Sequence, residues 1–133
     1  NSFVAQFIGE NNTLEGVVQE LKDGIAMVKL DGSDAVIEAK AVNVSKVGDR
    51  PRVSIRPERV ETNPARLQDN AHTLTAEVLE FIYMGDIYRT RLKVAGNENF
   101  VVKTRNAPDV ARMTPGQTVK IGWLPEDCRA LDA

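Results

Sequence analysis

The sequence has one cysteine and one histidine among its 133 residues, and this scarcity excludes several kinds of site. A single cysteine, Cys128, cannot form an intramolecular disulfide, and it fits a reducing compartment. One Cys and one His are too few for a zinc site, and no Ser-His-Asp or Cys-His catalytic set can be built from them. We therefore predict no catalytic, metal-binding or cofactor-binding residue in this chain, with Cys128 as a spectator and His72 as a solvated loop residue.

Several longer patterns are also absent. No G-x-x-x-x-G-K-[ST] loop occurs, so the chain encodes no cradle for nucleotide phosphates. No apolar run approaches the roughly 18 residues that a membrane-spanning helix needs. The net charge is −2 and the pI about 5.5, whereas nucleic-acid binders are usually basic over at least one face. Because the chain starts at Asn1 without an initiator Met, we expect it to be part of a longer protein.

What the sequence does contain is an internal repeat in three ordered blocks. Leu14, Val18, Glu20 and Leu21 align with Leu74, Val78, Glu80 and Phe81; the segment from Val28 to Ile37 aligns with Leu92 to Val101; and GDRPRVSIRPE from Gly48 aligns with GQTVKIGWLPE from Gly116. Self-similarity of this kind indicates two copies of one structural unit. The third block predicts that Val53 and Ile121 occupy equivalent buried sites, as do Ile55 and Trp123.

Each copy has the pattern of a small β-barrel. Tyr88, Thr90, Leu92 and Val94 alternate with charged residues, which is the period of two of a half-buried strand. Asp23-Gly24 is a favoured hairpin turn, and Gly-rich turns follow every ten residues or so. The fold class is therefore all-β, as two tandem barrel-like units. Because each copy is too short for an independent core, we expect the copies to pack together or to exchange strands.

The first nine residues differ from the rest. Phe3 and Phe7, with Val4 and Ile8, have i,i+4 spacing, and Gly9 follows them. This spacing predicts a short N-terminal helix. A helix of this length is marginal alone, so it should dock against this domain or against a domain upstream.

Some exposed features could form a contact surface. Tyr83 and Tyr88 flank the Gly85 turn, where they could form a contact surface or fill the mouth of a barrel. Arg56, Pro57 and Glu58 end the first copy, and Pro125-Glu126 ends the second in the same way. The candidate interface residues are Phe3, Phe7, Arg56, Pro57, Glu58, Tyr83, Gly85 and Tyr88. A basic stripe of Arg89, Arg91 and Lys93 is read as a solvated strand face.

Four motifs in order resemble one known family. The opening NSFVAQFIGENNTLEGVV, the strand VSIRPERV, the hairpin YMGDIYRTRL and the ending VKIGWLPEDCRAL resemble the segment that follows the nucleotide-binding domain in bacterial ABC importer ATPases. That segment is the transport-associated OB (TOBE) domain, found in the spermidine/putrescine, ferric-iron and maltose importers. The opening is most similar to the polyamine and iron types.

The resemblance implies a division of the chain and a role. Residues 1–9 would be the joint to a missing ATPase domain, 10–58 the first OB-like repeat, 59–73 a connection and 74–133 the second OB-like repeat. The function implied is a regulatory and dimerisation domain, with ATP and Mg bound in the missing nucleotide-binding domain and no cofactor in this part. The partners implied are a second copy, the upstream ATPase domain and the permease subunits, at the cytoplasmic face of the bacterial cell membrane, with no nucleic acid.

Two other functions stay open at this stage. A small-oxyanion-binding module of the molybdate-binding type would need backbone N–H groups with Ser/Thr and Lys/Arg, for which Arg52, Ser54 and Lys120 are candidates. A single-strand nucleic-acid binder would need a basic groove with stacking aromatics. The sequence has only four Phe, two Tyr and one Trp, and most of them are expected in the core.

Overall fold

A computed structural model describes residues 11–63, 73–107 and 112–132. The predicted helix at residues 1–9, with the interface candidates Phe3 and Phe7, lies outside the described residues, as does His72. The described residues form ten strands and two 3-10 turns. The strands are β1 (Asn12–Lys22), β2 (Ile25–Leu30), β3 (Val36–Ala41), β4 (Pro51–Ile55), β5 (Glu61–Thr62), β6 (Thr73–Tyr83), β7 (Ile87–Val94), β8 (Asn97–Arg105), β9 (Thr118–Gly122) and β10 (Cys128–Asp132).

Five of these strands close into a barrel in the order β1-β2-β3-β10-β4. The alternation of buried and exposed residues along β1 and β2 turns one face of the barrel wall inward. Gly16 lies where the backbones of β1 and β2 approach closely: a β-carbon there would overlap the carbonyl oxygen of Lys29 and lie 2.7 Å from Cγ1 of Val28. The glycine is therefore required by this close approach of two backbones.

The other five strands form a second sheet in the order β5-β9-β6-β7-β8. It repeats details of the first. β1 is bulged between Val18 and Glu20, and β6 is bulged between Val78 and Glu80. At each bulge a glycine N–H donates to a valine oxygen: Gly48 to Val18 at 2.9 Å, and Gly116 to Val78 at 2.7 Å. The all-β prediction, with two related barrel-like sheets, is confirmed.

The two repeats exchange their last strands. After β4 the chain makes a 3-10 turn (Pro57–Arg59) and then enters the second sheet as β5, which pairs with β9. After β9 it makes the equivalent turn (Pro125–Asp127) and returns to the first barrel as β10, between β3 and β4. Exchange was one of the two arrangements expected for copies too small to stand alone, and it makes each core depend on the other repeat.

The core confirms the equivalences predicted from the third block. Val53 and Ile121 are fully buried, and Ile55 and Trp123 are 1% and 4% exposed. In the middle block the match of Val28 with Leu92 is confirmed, since they pair with the equivalent Val18 and Val78. The match of Ile37 with Val101 is wrong by one residue, because Val28 pairs with Ile37 whereas Leu92 pairs with Phe100. The reason is a tighter, irregular β7–β8 hairpin, whose register shifts between Leu92 and Val94.

Within the described ranges, no helix is both long enough and apolar enough to cross a membrane.

Candidate interaction surface

Among the residues that the structure describes, the most exposed cluster of large apolar side chains lies at the end of the β6–β7 hairpin. Tyr83 is 63% exposed, Met84 53% and Ile82 38%; these three residues are called the apolar tip below. The turn between the strands is closed by a hydrogen bond from Met84 N to Ile87 O of 2.9 Å. Gly85 makes this turn possible because its φ is 94°, a backbone conformation that residues with a side chain rarely adopt.

The equivalent hairpin of the first barrel is polar. β1 ends at Lys22, and its turn is formed by Asp23 and Gly24 with φ values of 53° and 79°. Both φ values are positive, as a type I′ turn requires. Because two copies of one hairpin differ in this way, the apolar tip is not demanded by the fold. Exposed apolar clusters that the fold does not require are typical of contact surfaces.

An aromatic row connects the apolar tip to the core. The ring of Tyr88 lies 4.8 Å from that of Phe81 and 5.5 Å from that of Tyr83, in tilted arrangements. Tyr88 is 8% exposed, so it fills the mouth of the second sheet. Tyr83 projects beyond it. The structure thus gives the two tyrosines different positions, and packing on Tyr88 holds the Tyr83 ring in place without excluding solvent from it.

The two Pro-Glu ends lie close to one another. Pro57 is buried, whereas Arg56 and Glu58 are exposed. Arg59, one residue further on, approaches Asp127 of the equivalent turn, with 4.0 Å between Nε and Oδ1. An ion pair this long and this exposed contributes little to stability. The buried proline is a strand terminator, and only its polar neighbours are available for contact.

The basic stripe on β7 is partly neutralised. Arg91 lies 3.7 Å from a carboxylate oxygen of Glu80 and donates a hydrogen bond to the Glu98 carbonyl at 2.8 Å. Lys93 is exposed and Arg89 is half-buried. Because Arg91, in the middle of the stripe, is bound by Glu80 and Glu98 of the same sheet, the stripe presents less free positive charge than the sequence suggests. This agrees with its interpretation as a solvated strand face.

The oxyanion candidates lie in different sheets. Arg52 and Ser54 are on β4, with Arg52 at 3.9 Å from Glu15, whereas Lys120 is on β9. An open cavity of about 450 Å³ lies at the β2–β3 turn, and Asp31, Asp34 and Lys29 are among its lining residues. The two carboxylates are matched by Lys29 and by Arg50, which pairs with Asp31, so the cavity has no net positive charge to attract an anion.

Cys128 lies fully buried in the core. Burial raises the pKa of its thiol to about 12, opposed in part by a hydrogen bond with Trp123. The thiol is therefore uncharged near neutral pH and a poor nucleophile. In the part of the chain that the structure describes, no three His, Cys, Asp or Glu side chains are grouped as a metal would require.

Sequence reasoning missed the full extent of the apolar tip and one buried polar contact. It named Tyr83 but not Ile82 or Met84, although a comparison of the two aligned hairpins would have shown that one is polar and the other apolar. It also passed over Asn12, which is 2% exposed and bonds to β8 of the other sheet. No local pattern marks a residue whose partner lies 89 positions away.

Comparison with known proteins identifies the family. The sequence model of the TOBE domain family matches residues 53–131 of this chain. Among curated proteins, the spermidine/putrescine import ATP-binding protein PotA of Rubrobacter xylanophilus is 32% identical over 133 residues, covering 98% of this chain and 34% of the relative. The PotA protein of Roseobacter denitrificans is 33% identical over 121 residues, covering 90% and 32%. The chain thus spans about one third of the length of the curated relatives it matches.

A solved structure shares the fold. The cytoplasmic molybdate-binding protein ModG, with molybdate bound, superimposes with a TM-score of 0.76 over 92% of this chain and 96% of its own, at 14% sequence identity. At that identity the likeness concerns the fold alone. Since the TOBE model matches more than half of the chain, the chain belongs to the TOBE domain family.

Proposed function

We propose that this chain is the regulatory and dimer-contact domain at the C-terminal end of the ATP-binding subunit of an ABC importer, and that the importer takes up polyamines such as spermidine and putrescine. The full-length protein is then an ATPase whose nucleotide and Mg²⁺ bind outside this chain. It works at the cytoplasmic face of the cell membrane, where it contacts permease subunits.

One observation carries this proposal. Relatives that match 98% and 90% of this chain are import ATP-binding proteins about three times its length. A match that extends over nearly the whole domain supports a shared role for the domain. We choose polyamines over ferric iron because both relatives are named as spermidine/putrescine import proteins.

The structure supports a contact role within that assembly. The apolar tip exposes a tyrosine and a methionine, both of which are enriched in protein interfaces. Its turn is supported from the side, because the Asn106 side chain donates to Gly85 O at 3.3 Å and the Asn106 N–H donates to Asp86 O at 3.0 Å. A braced apolar hairpin loses little conformational freedom on binding.

The test of the importer class is an uptake assay. The gene for the full-length protein is deleted, and uptake of radiolabelled spermidine, putrescine and ferric iron is measured with and without a plasmid copy of the gene. We expect polyamine uptake to fall on deletion and to return with the plasmid, with iron uptake unchanged. Loss of iron uptake alone, or unchanged uptake of all three solutes, would refute the assignment to polyamine import.

A further inference from the structure

The two sheets are closed in different ways. In the first barrel β10 pairs with β4 on one side and with β3 on the other, through Arg129 with Lys40 and Ala130 with Ala41. The equivalent strand of the second sheet, β5, has two residues and pairs with β9. β8 stands at the end of that sheet's strand order, so it is an edge strand. Edge strands have backbone groups that need another partner.

The side chain of Asn12 supplies a partner for that edge. Its Nδ2 donates to the carbonyl oxygen of Val101 at 2.7 Å, and its Oδ1 accepts from the N–H of Val101 at 2.7 Å. This two-way exchange with one residue is the pattern that a neighbouring antiparallel strand makes at a hydrogen-bonded pair. Asn12 is 2% exposed and Val101 4%, so water does not compete freely for either bond.

The backbone of Asn12 belongs to the other sheet. Asn12 pairs with Ile55 of β4 at the beginning of β1. The same residue is thus a strand residue of the first barrel and a substitute for a strand in the second sheet. A weaker contact lies beside it, where the Asn97 side chain donates to Thr13 O at 3.0 Å on the exposed side.

The chemistry at this position requires an amide of this length. A buried amide pair that is fully satisfied adds to stability, whereas each group left unpaired carries a desolvation cost. Alanine or leucine would leave both groups of Val101 without the Asn12 bonds. A carboxylate has the same shape but cannot donate, so it would set an anionic oxygen against the Val101 carbonyl.

We infer that Asn12 is a latch that holds the edge strand β8 of the second sheet against β1 of the first barrel, so that the two sheets move as one body. The Asn12 side chain hydrogen-bonds to the edge strand of the second sheet, whereas in the first barrel the whole strand β10 pairs with β3 and closes that edge. Removal of the latch frees β8 locally while the first barrel stays closed.

Hydrogen–deuterium exchange on the full-length protein tests the latch. Asn12→Ala is compared with Asn11→Ala, the same change at the neighbouring exposed position. We expect peptides from 97–105 to exchange about tenfold faster or more in Asn12→Ala, because both buried hydrogen bonds to Val101 are lost, with peptides from 25–30 unchanged. Equal exchange in the two variants would overturn the latch. So would a uniform rise across all peptides, which would show a contribution to global stability only.

An isosteric variant separates hydrogen bonding from packing. Asn12→Asp keeps the size and the acceptor at this position, removes the donor to Val101 O and sets a carboxylate oxygen against that carbonyl. At neutral pH we expect it to free peptides from 97–105 as Asn12→Ala does. Exchange like that of the wild type would show that the donor is not needed and would overturn the inference. If Asn12→Ala fails to fold, this comparison decides the question alone.

Discussion

Replacement of Trp123 by alanine should lower the stability of this domain more than most single changes. Trp123 is 4% exposed, and its ring stacks on Phe100 with centroids 6.2 Å apart and planes at 27°. Truncation of a buried aromatic side chain typically costs about 3–5 kcal/mol, because contacts are lost and a cavity remains. For a domain of this size that cost corresponds to a fall in melting temperature of about 10–20 °C.

The repeat supplies a matched control for this experiment. Ile55 fills the equivalent site in the first barrel, so Trp123→Ile places a residue that the fold already accepts in that site. We expect Trp123→Ile to retain more stability than Trp123→Ala. Melting followed by far-ultraviolet circular dichroism measures both variants. A fall of less than about 3 °C for Trp123→Ala, which corresponds to under 1 kcal/mol, would show that the second core is not built around this ring.

Two further predictions concern the backbone and the thiol. Gly16→Ala should lower the free energy of unfolding, measured by urea denaturation, by about 1–3 kcal/mol, because the added β-carbon would overlap Lys29 O. The control Glu15→Ala, at the adjacent exposed position, should lower it by less than about 0.5 kcal/mol. Equal losses in the two variants would contradict the close approach of the strands. Burial raises the pKa of Cys128 from 9.0 to about 12, so the unfolded chain loses this proton at lower pH than the folded one. The stability contributed by the protonated thiol is full below pH 9 and is lost as the pH rises toward 12. Urea midpoints at two pH values in that window should fall more steeply for the wild type than for Cys128→Ala, and parallel slopes would contradict the burial of the thiol.

The sequence was sufficient for the architecture because the repeat is strong in the strands that form the cores. Val53, Ile55, Ile121 and Trp123 have the period of two that buries one face, and the structure buries all four. The end of the middle block, where Ile37 was matched to Val101, was misaligned by one residue because both Phe100 and Val101 are apolar and buried. In such a run the period does not show which residue faces inward.

The contact surface was only partly predictable for a different physical reason. Tyr83 and Tyr88 have the same residue type and form one cross-strand pair beside the same turn, but ring packing on Phe81 buries Tyr88, whereas Tyr83 is 63% exposed. Whether a residue at the end of a hairpin is buried depends on which side chains pack over it in the folded domain, and the alternation along one strand does not show this. The direction of strand exchange and the Asn12 bonds to β8 likewise arise only when the two repeats meet.

We propose that this domain acts through contacts in a dimer of the full-length ATPase, and substitutions in the apolar tip test this proposal. The dissociation constant of the full-length dimer and its ATPase rate are measured for Tyr83→Ser/Met84→Ser and for the control Lys22→Ser at the equivalent polar hairpin. We expect the double variant to weaken the dimer by about tenfold or more, as the loss of an aromatic contact residue does, and to change the ATPase rate, with the control unchanged. A folded double variant with the dissociation constant and ATPase rate of the wild type would contradict the account.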